Sequence, residues 1–207
     1  FFRGVAALFS RTPSRGNPPE GRRLVLLVIV GTLPLFAVLP VESKIEMLGG
    51  SPVFVSCALL VTGCVLFLSD RYGGGRKTAK NATIKDALLV GLAQGVATIP
   101  GLSRSGCTIS AGMAMGFQRK FAVRYSFPAV FGATLLKVIK TIKAAEPLAE
   151  GILPKYLLGM AVAGVVGYFS IRLVDLLASK GKFGAFAWYC WGAGLLFLVL
   201  SLVGWTL

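Results

Sequence analysis

The feature that most constrains this chain is a series of long apolar runs. Five stretches, at about 24–40, 52–69, 121–141, 153–171 and 184–205, are long and apolar enough to be candidate membrane spans. A hydrocarbon core about 30 Å thick needs roughly 20 helical residues and tolerates about 17. Inside such a core each backbone N–H and C=O needs a partner from the protein, so the runs are expected to be helices. The expected class is an all-α integral membrane protein, a transmembrane helix bundle forming one membrane domain over residues 1–207. Composition agrees: 55% of residues are hydrophobic and 14% charged, with a mean hydropathy of +0.76. Such a surface cannot be presented to water, which excludes a soluble domain.

Charge refines this reading. A net charge of +14 from 22 Lys/Arg and 8 Asp/Glu would suggest nucleic acid in a soluble chain. Here the cations cluster between apolar runs, as in cytoplasmic loops, so lipid headgroups and not nucleic acid are the expected anions. Cys57, Cys64, Cys107 and Cys190 stand singly, without CxxC spacing, and the chain has no His. They read as small packing residues. Residues 12–20 form a polar Pro/Gly loop, Pro34 and Pro128 are expected to kink two spans, and a start on Phe1 instead of Met predicts upstream sequence.

Between the second and third spans, Asp86–Gly116 is apolar but interrupted by Pro100-Gly101. Its first half opens with Thr83 and Asp86 at capping-box spacing and runs to about Ala97, only about 20 Å at 1.5 Å per residue. It cannot span the membrane. A second short helix from Ser103 then makes a re-entrant half-helix hairpin, allowed where protein or a polar cavity surrounds it. Gly91/Gly95 and Gly112/Gly116 form GxxxG pairs suited to close helix packing. With both hairpin ends on the cytoplasmic side, the inside segments 1–23, 70–86, 117–124 and 172–183 hold 16 of the 22 cations, as the positive-inside rule favours. The C-terminus is then expected outside.

The chemistry is expected in "ATIPGLSRSGCTISAGMAMG", residues 97–116. Ser103 stands where a helix N-cap belongs, which leaves the N–H groups of Arg104, Ser105 and Gly106 pointing out of the helix start with the positive end of its dipole behind them. That is an anion site. Arg104 adds a planar fork suited to phosphate oxygens, Ser103 and Ser105 add hydroxyls, and Thr108 lies one turn after Arg104. Gly101 and Gly106 are expected to let the backbone approach the ligand. Cys107 is expected to line the site. An arginine near mid-bilayer costs about 2.5–3.5 kcal/mol on insertion scales, so it usually faces a cavity and carries function.

The stretch "LVGLAQGVATIPGLSRSGCTISAGMAMGFQRKFAVRYSFPAVFGATLLK" resembles the second signature region of the undecaprenyl-diphosphate phosphatase family, with Pro100, Gly101, Ser103, Arg104, Ser105, Gly106 and Thr108 at its Pro-Gly-x-Ser-Arg-Ser-Gly-x-Thr hallmark. The resemblance extends over essentially the whole chain. It implies six transmembrane helices and two re-entrant hairpins in an inverted repeat, in a multi-pass protein of the bacterial inner membrane. It also implies release of phosphate from a C55 polyprenyl diphosphate lipid, recycling the carrier for cell-wall synthesis. Arg104, Ser103 and Thr108 would then be catalytic, while Ser105, Gly101, Gly106 and Gln94 would bind the diphosphate, Gln94 holding the place of an acid in the first hairpin.

The family's first signature, Glu-x-x-x-Glu running into Pro-Val-Ser-Ser-Thr-Gly-His, is absent. The resemblance places there the acidic ligands for a divalent cation, Mg or Ca, together with the nucleophile candidate and the acid/base histidine. No metal ligand is assigned in this chain, and a homodimer is left open. Two other readings remain from the sequence: a lipid-phosphate or anion transporter with a midplane phosphate site, and an inactive membrane scaffold.

Overall fold

In a computed structural model, residues 19–144 and 153–204 are described, and they form helices joined by short links, with no strand among them. The helices are α1 (Pro19–Thr32), α2 (Glu42–Met47), α3 (Pro52–Tyr72), α4 (Ile84–Val96), α5 (Arg104–Ala114), α6 (Arg119–Ala144), α7 (Leu153–Ser179) and α8 (Ala185–Leu202). Among the described residues four segments are long and apolar enough to cross a membrane: Arg22–Gly50, Pro52–Tyr72, Pro154–Ala178 and Ala185–Leu202. The chain is a helical, multi-pass membrane protein.

The expected elements differ from these in instructive ways. Helix α1 begins at Pro19, so the loop expected to reach residue 20 ends earlier; its first part, like residue 205 at the end of the last span, lies outside the described residues. The first run is not one α-helix to residue 40. It passes into 3-10 turns at Leu33–Ala37 and Leu39–Val41, each with a proline in its first two positions. Pro34 and Pro40 have no N–H to donate to the preceding turn, and their rings crowd the carbonyl four residues back. The run expected at 121–141 forms the 26-residue α6, with Pro128 inside it.

Packing follows small residues and a few polar anchors. Helix α3 lies along α8, α1 crosses α4, and α5 sits between α3 and α6. At the α1–α4 crossing a Cβ on Gly91 would lie 2.1 Å from the Gly31 carbonyl oxygen, so only glycine permits this approach. Tyr125 Oη of α6 donates to the Leu27 carbonyl of α1 at 2.9 Å, and Trp191 Nε1 of α8 donates to Leu60 O of α3 at 3.2 Å. Lipid tails are as apolar as Leu, so close packing and such bonds drive helix association. The buried cluster holds Leu27, Leu66, Val90, Ile109, Met113, Phe117 and Tyr125.

The link from α3 to α4 is fastened to the link from α5 to α6. Gly75 N–H donates to Phe117 O at 3.0 Å, Lys77 N–H to Gly116 O at 2.9 Å, and Gln118 N–H to Lys77 O at 2.8 Å. The start of α4 is capped reciprocally by Thr83 and Asp86, and Lys77 Nζ meets the Asp86 carboxylate at 2.9 Å. Burial alone would raise the Asp86 carboxyl, but hydrogen bonds from Thr83 and Lys77 outweigh it and hold the group below the ordinary carboxylate range. One acid at this end ties three helices. Asp70 of α3 accepts from Arg119 of α6 through Oδ1, and its Oδ2 accepts from the Gly184 N–H, just before α8, at 3.0 Å.

Replacing Asp70 by Ala strands both donors. The expected loss is about 2–3 kcal/mol, because removing one member of a largely buried pair leaves its partner uncompensated. Thermal unfolding in detergent checks this, and Asp70→Ala combined with Arg119→Ala is expected to cost less than the sum of the single changes.

Candidate functional site

The site is built where α4 stops and α5 starts. After Val96 the chain makes a series of tight turns, with Thr98 N–H bonded to Gly95 O and Ile99 N–H to Val96 O, both at 3.1 Å. Pro100 brings no N–H to prolong α4. Gly101 follows at φ +92°, a left-handed conformation, and a Cβ there would lie 2.5 Å from Val55 O and 2.8 Å from Ala58 Cβ. The loop is therefore pressed against α3, and Gly101 serves that contact.

Ser103 caps α5: its Oγ accepts the Gly106 N–H at 3.1 Å, so that donor is not free. A cap of this kind contributes about 1 kcal/mol. The N–H groups of Arg104 and Ser105 have no acceptor among the described residues, and neither the Arg104 guanidinium nor the Ser105 hydroxyl makes a hydrogen bond or ion pair there. Both residues are half-buried. A helix start carrying free N–H groups beside an uncommitted guanidinium offers donors and positive charge of the kind that suit an anion.

The other expected site residues turn toward the protein. Thr108 is fully buried, and its Oγ1 bonds to Arg104 O at 2.9 Å and contacts Ser126 Oγ of α6 in a short hydrogen bond. Gly106 packs on Ser103 and Leu66, where a Cβ would lie 2.9 Å and 3.1 Å from their side chains. Gln94 is fully buried; its Nε2 donates to Ala129 O at 3.2 Å, and its Oε1 has no partner among the described residues. Cys107 lines a groove of about 760 Å³ with Val65, Tyr72, Ala93, Val96 and Ala111, residues of α3, α4 and α5. Ser103, Arg104 and Ser105 do not line it.

Two residues assigned no role from the sequence hold the loop and first turn. Thr62 of α3 contacts Gly101 O at 3.2 Å and accepts Ser103 N–H at 3.4 Å, while Ser126 Oγ reaches Ser105 O at 3.5 Å. Their signal in the sequence is faint: single hydroxyls within apolar runs. For a divalent cation the described residues do not fit, since no group of three His, Cys, Asp or Glu comes together among them.

Comparison with known proteins agrees with this motif. Residues 1–196 match the family described as bacitracin resistance protein BacA. The undecaprenyl-diphosphatase of Methanosphaera stadtmanae is 39% identical over 191 residues, covering 89% of this chain and 67% of that protein. That of Carboxydothermus hydrogenoformans is 35% identical, covering 88% and 72%. Undecaprenyl-diphosphatase 1 of Burkholderia lata is 35% identical over 212 residues, covering 97% and 75%. Similarity this extensive, with the motif at the start of α5, decides the family: the chain belongs to the bacitracin resistance protein BacA family.

Proposed function

We propose that this chain takes part in hydrolysing undecaprenyl diphosphate to undecaprenyl phosphate and inorganic phosphate, as the names of its relatives indicate for them. The observation that carries the reading is the start of α5, where two N–H groups and the Arg104 guanidinium are left without partners among the described residues. In the reaction the bond between the terminal phosphorus and the bridging oxygen breaks, and an oxygen nucleophile takes its place. Negative charge grows on the bridging oxygen and spreads over the equatorial oxygens. Arg104 and the N–H groups of Arg104 and Ser105 neutralise that charge, and donors held in place before the reaction act without reorganisation. Ser103 sets the cap, and its hydroxyl hydrogen remains free to donate to phosphate.

Thr108 of α5 and Gln94 of α4 brace the site against α6 in this reading: Thr108 by bonding Ser126, and Gln94 by bonding Ala129. The acids and histidine that the family resemblance implies have no counterpart in residues 1–207, whose share of the catalysis is binding and charge stabilisation. No step is routed through a metal. The relatives' names speak against the transport alternative. Phosphate release from a diphosphate lipid by the full-length protein, reconstituted in detergent, tests the proposal; absence of release with the lipid bound and moved across a bilayer would replace it with transport.

We place the protein in the plasma membrane, with α4 and α5 as a re-entrant pair within an inverted repeat. Helices of 13 and 11 residues are about 20 Å and 16 Å long, short of a 30 Å core. The bonds joining Lys77 to Gly116 and Gln118 support an entry and an exit on one side. Cysteines placed at Thr78 and Gln118 are expected to react with an impermeant thiol reagent from the same, cytoplasmic face in a background without the native cysteines. Labelling from opposite faces would make this segment a full crossing.

A further inference from the structure

Building on the phosphate-site reading above, we propose that Thr62 is a positioning residue: its hydroxyl, on α3, sets the Gly101–Ser103 loop so that the Arg104 and Ser105 N–H groups face the diphosphate. Thr62 is fully buried, and its Oγ1 lies 3.0 Å from Ala58 O, 3.2 Å from Gly101 O and 3.4 Å from Ser103 N. A hydroxyl has one hydrogen, so it donates to one of the two carbonyls while accepting the Ser103 N–H. In an ordinary helix a threonine hydroxyl bonds only back to the carbonyl four residues earlier. Here the same oxygen also serves a loop 39 and 41 residues away in sequence.

The consequence lies in which donors remain. Ser103 N–H is satisfied sideways by Thr62, and Gly106 N–H by the Ser103 side chain. The two N–H groups between them are left for a ligand. Val55, Ala58 and Thr62 recur at helical spacing on α3, and all three meet the loop: the first two at the missing Cβ of Gly101, the third by hydrogen bonding. One face of α3 thus fixes both the height and the rotation of the turn that starts α5. Displacing such donors weakens the transition state more than the bound substrate, because the growing charge is what they are aimed at.

The test is steady-state phosphate release from a diphosphate lipid by full-length protein in detergent, with substrate varied, for Thr62→Val, Thr62→Ser and Arg104→Ala. Thr62→Val keeps the shape and removes the hydroxyl; kcat is expected to fall about tenfold, with KM moving less than about threefold. Thr62→Ser restores the hydroxyl and is expected within about threefold of wild-type kcat. Wild-type kcat in Thr62→Val, a loss expressed in KM alone, or a folded Thr62→Ser as impaired as Thr62→Val overturns the proposal. If Thr62→Val does not elute as folded protein, Thr62→Ser decides by itself: near-wild-type turnover supports the hydroxyl, and a fall in kcat with normal elution overturns it. An inactive Arg104→Ala beside an active Thr62→Val sinks only the role of Thr62. An active Arg104→Ala sinks the phosphate site, and this proposal with it.

Discussion

Arg104→Lys is expected to lower phosphate release by roughly ten- to a hundredfold in the full-length protein, and Arg104→Ala by more. Lysine keeps the charge but offers a compact ammonium on a flexible stem, which cannot donate two parallel hydrogen bonds to phosphate oxygens. It neutralises the substrate without holding it in line. A charge-assisted hydrogen bond contributes about 1.5–3 kcal/mol, and each 1.36 kcal/mol corresponds to tenfold in rate, which sets the range. Nothing among the described residues pairs with the guanidinium, so its removal leaves no stranded acid there. Stability is therefore expected to hold while activity falls. Ser103→Ala is expected to cost less, since the helix N–H groups persist. Steady-state rates with elution profiles as a folding check decide it, and a folded Arg104→Ala with wild-type turnover removes Arg104 from the site.

Gly101→Ala is expected to cost about 2–5 kcal/mol of stability and most of the activity. Two effects add. The residue sits at φ +92°, which an L side chain rarely adopts, and the new methyl would lie 2.5 Å from the Val55 carbonyl oxygen, a backbone atom that cannot rotate away. Relief requires moving the loop off α3, which breaks the Thr62 contacts and shifts Ser103. Gly181→Ala serves as the comparison: its φ is +67°, but the nearest atom to a Cβ is Arg119 Cζ at 3.9 Å. It carries the conformational cost without the collision. Thermal unfolding of both variants in detergent separates the two effects, and equal midpoints would show that the contact with α3 contributes nothing.

Much of the local structure was legible in the residues. The break at Pro100-Gly101, the Ser103 cap and the reciprocal Thr83–Asp86 cap each depend on groups three or four positions apart, and such patterns can be read along a chain. The free donors of Arg104 and Ser105 follow from the same logic, because every helix start leaves N–H groups over. Expectation failed where one local rule met another: Gly106 N–H was expected free, yet the Ser103 cap that starts the helix takes it. The first span was read as one helix kinked at Pro34; the chain goes further there and passes into 3-10 turns at Leu33–Ala37 and Leu39–Val41.

By itself the sequence determined that the chain is helical, is apolar enough to cross a membrane and carries a capped helix start with free N–H donors after Pro100-Gly101, because apolar length, caps and proline act within one segment. Only the tertiary structure decided which way each side chain of that start faces. Thr108 and Gln94 turn to α6, Gly101 lies against α3, and Thr62 and Ser126 hold the turn from either side. These contacts join residues 18 to 46 positions apart. No periodicity encodes such pairings: they arise from how close two backbones come, which glycines at the crossings permit and hydroxyls then fix.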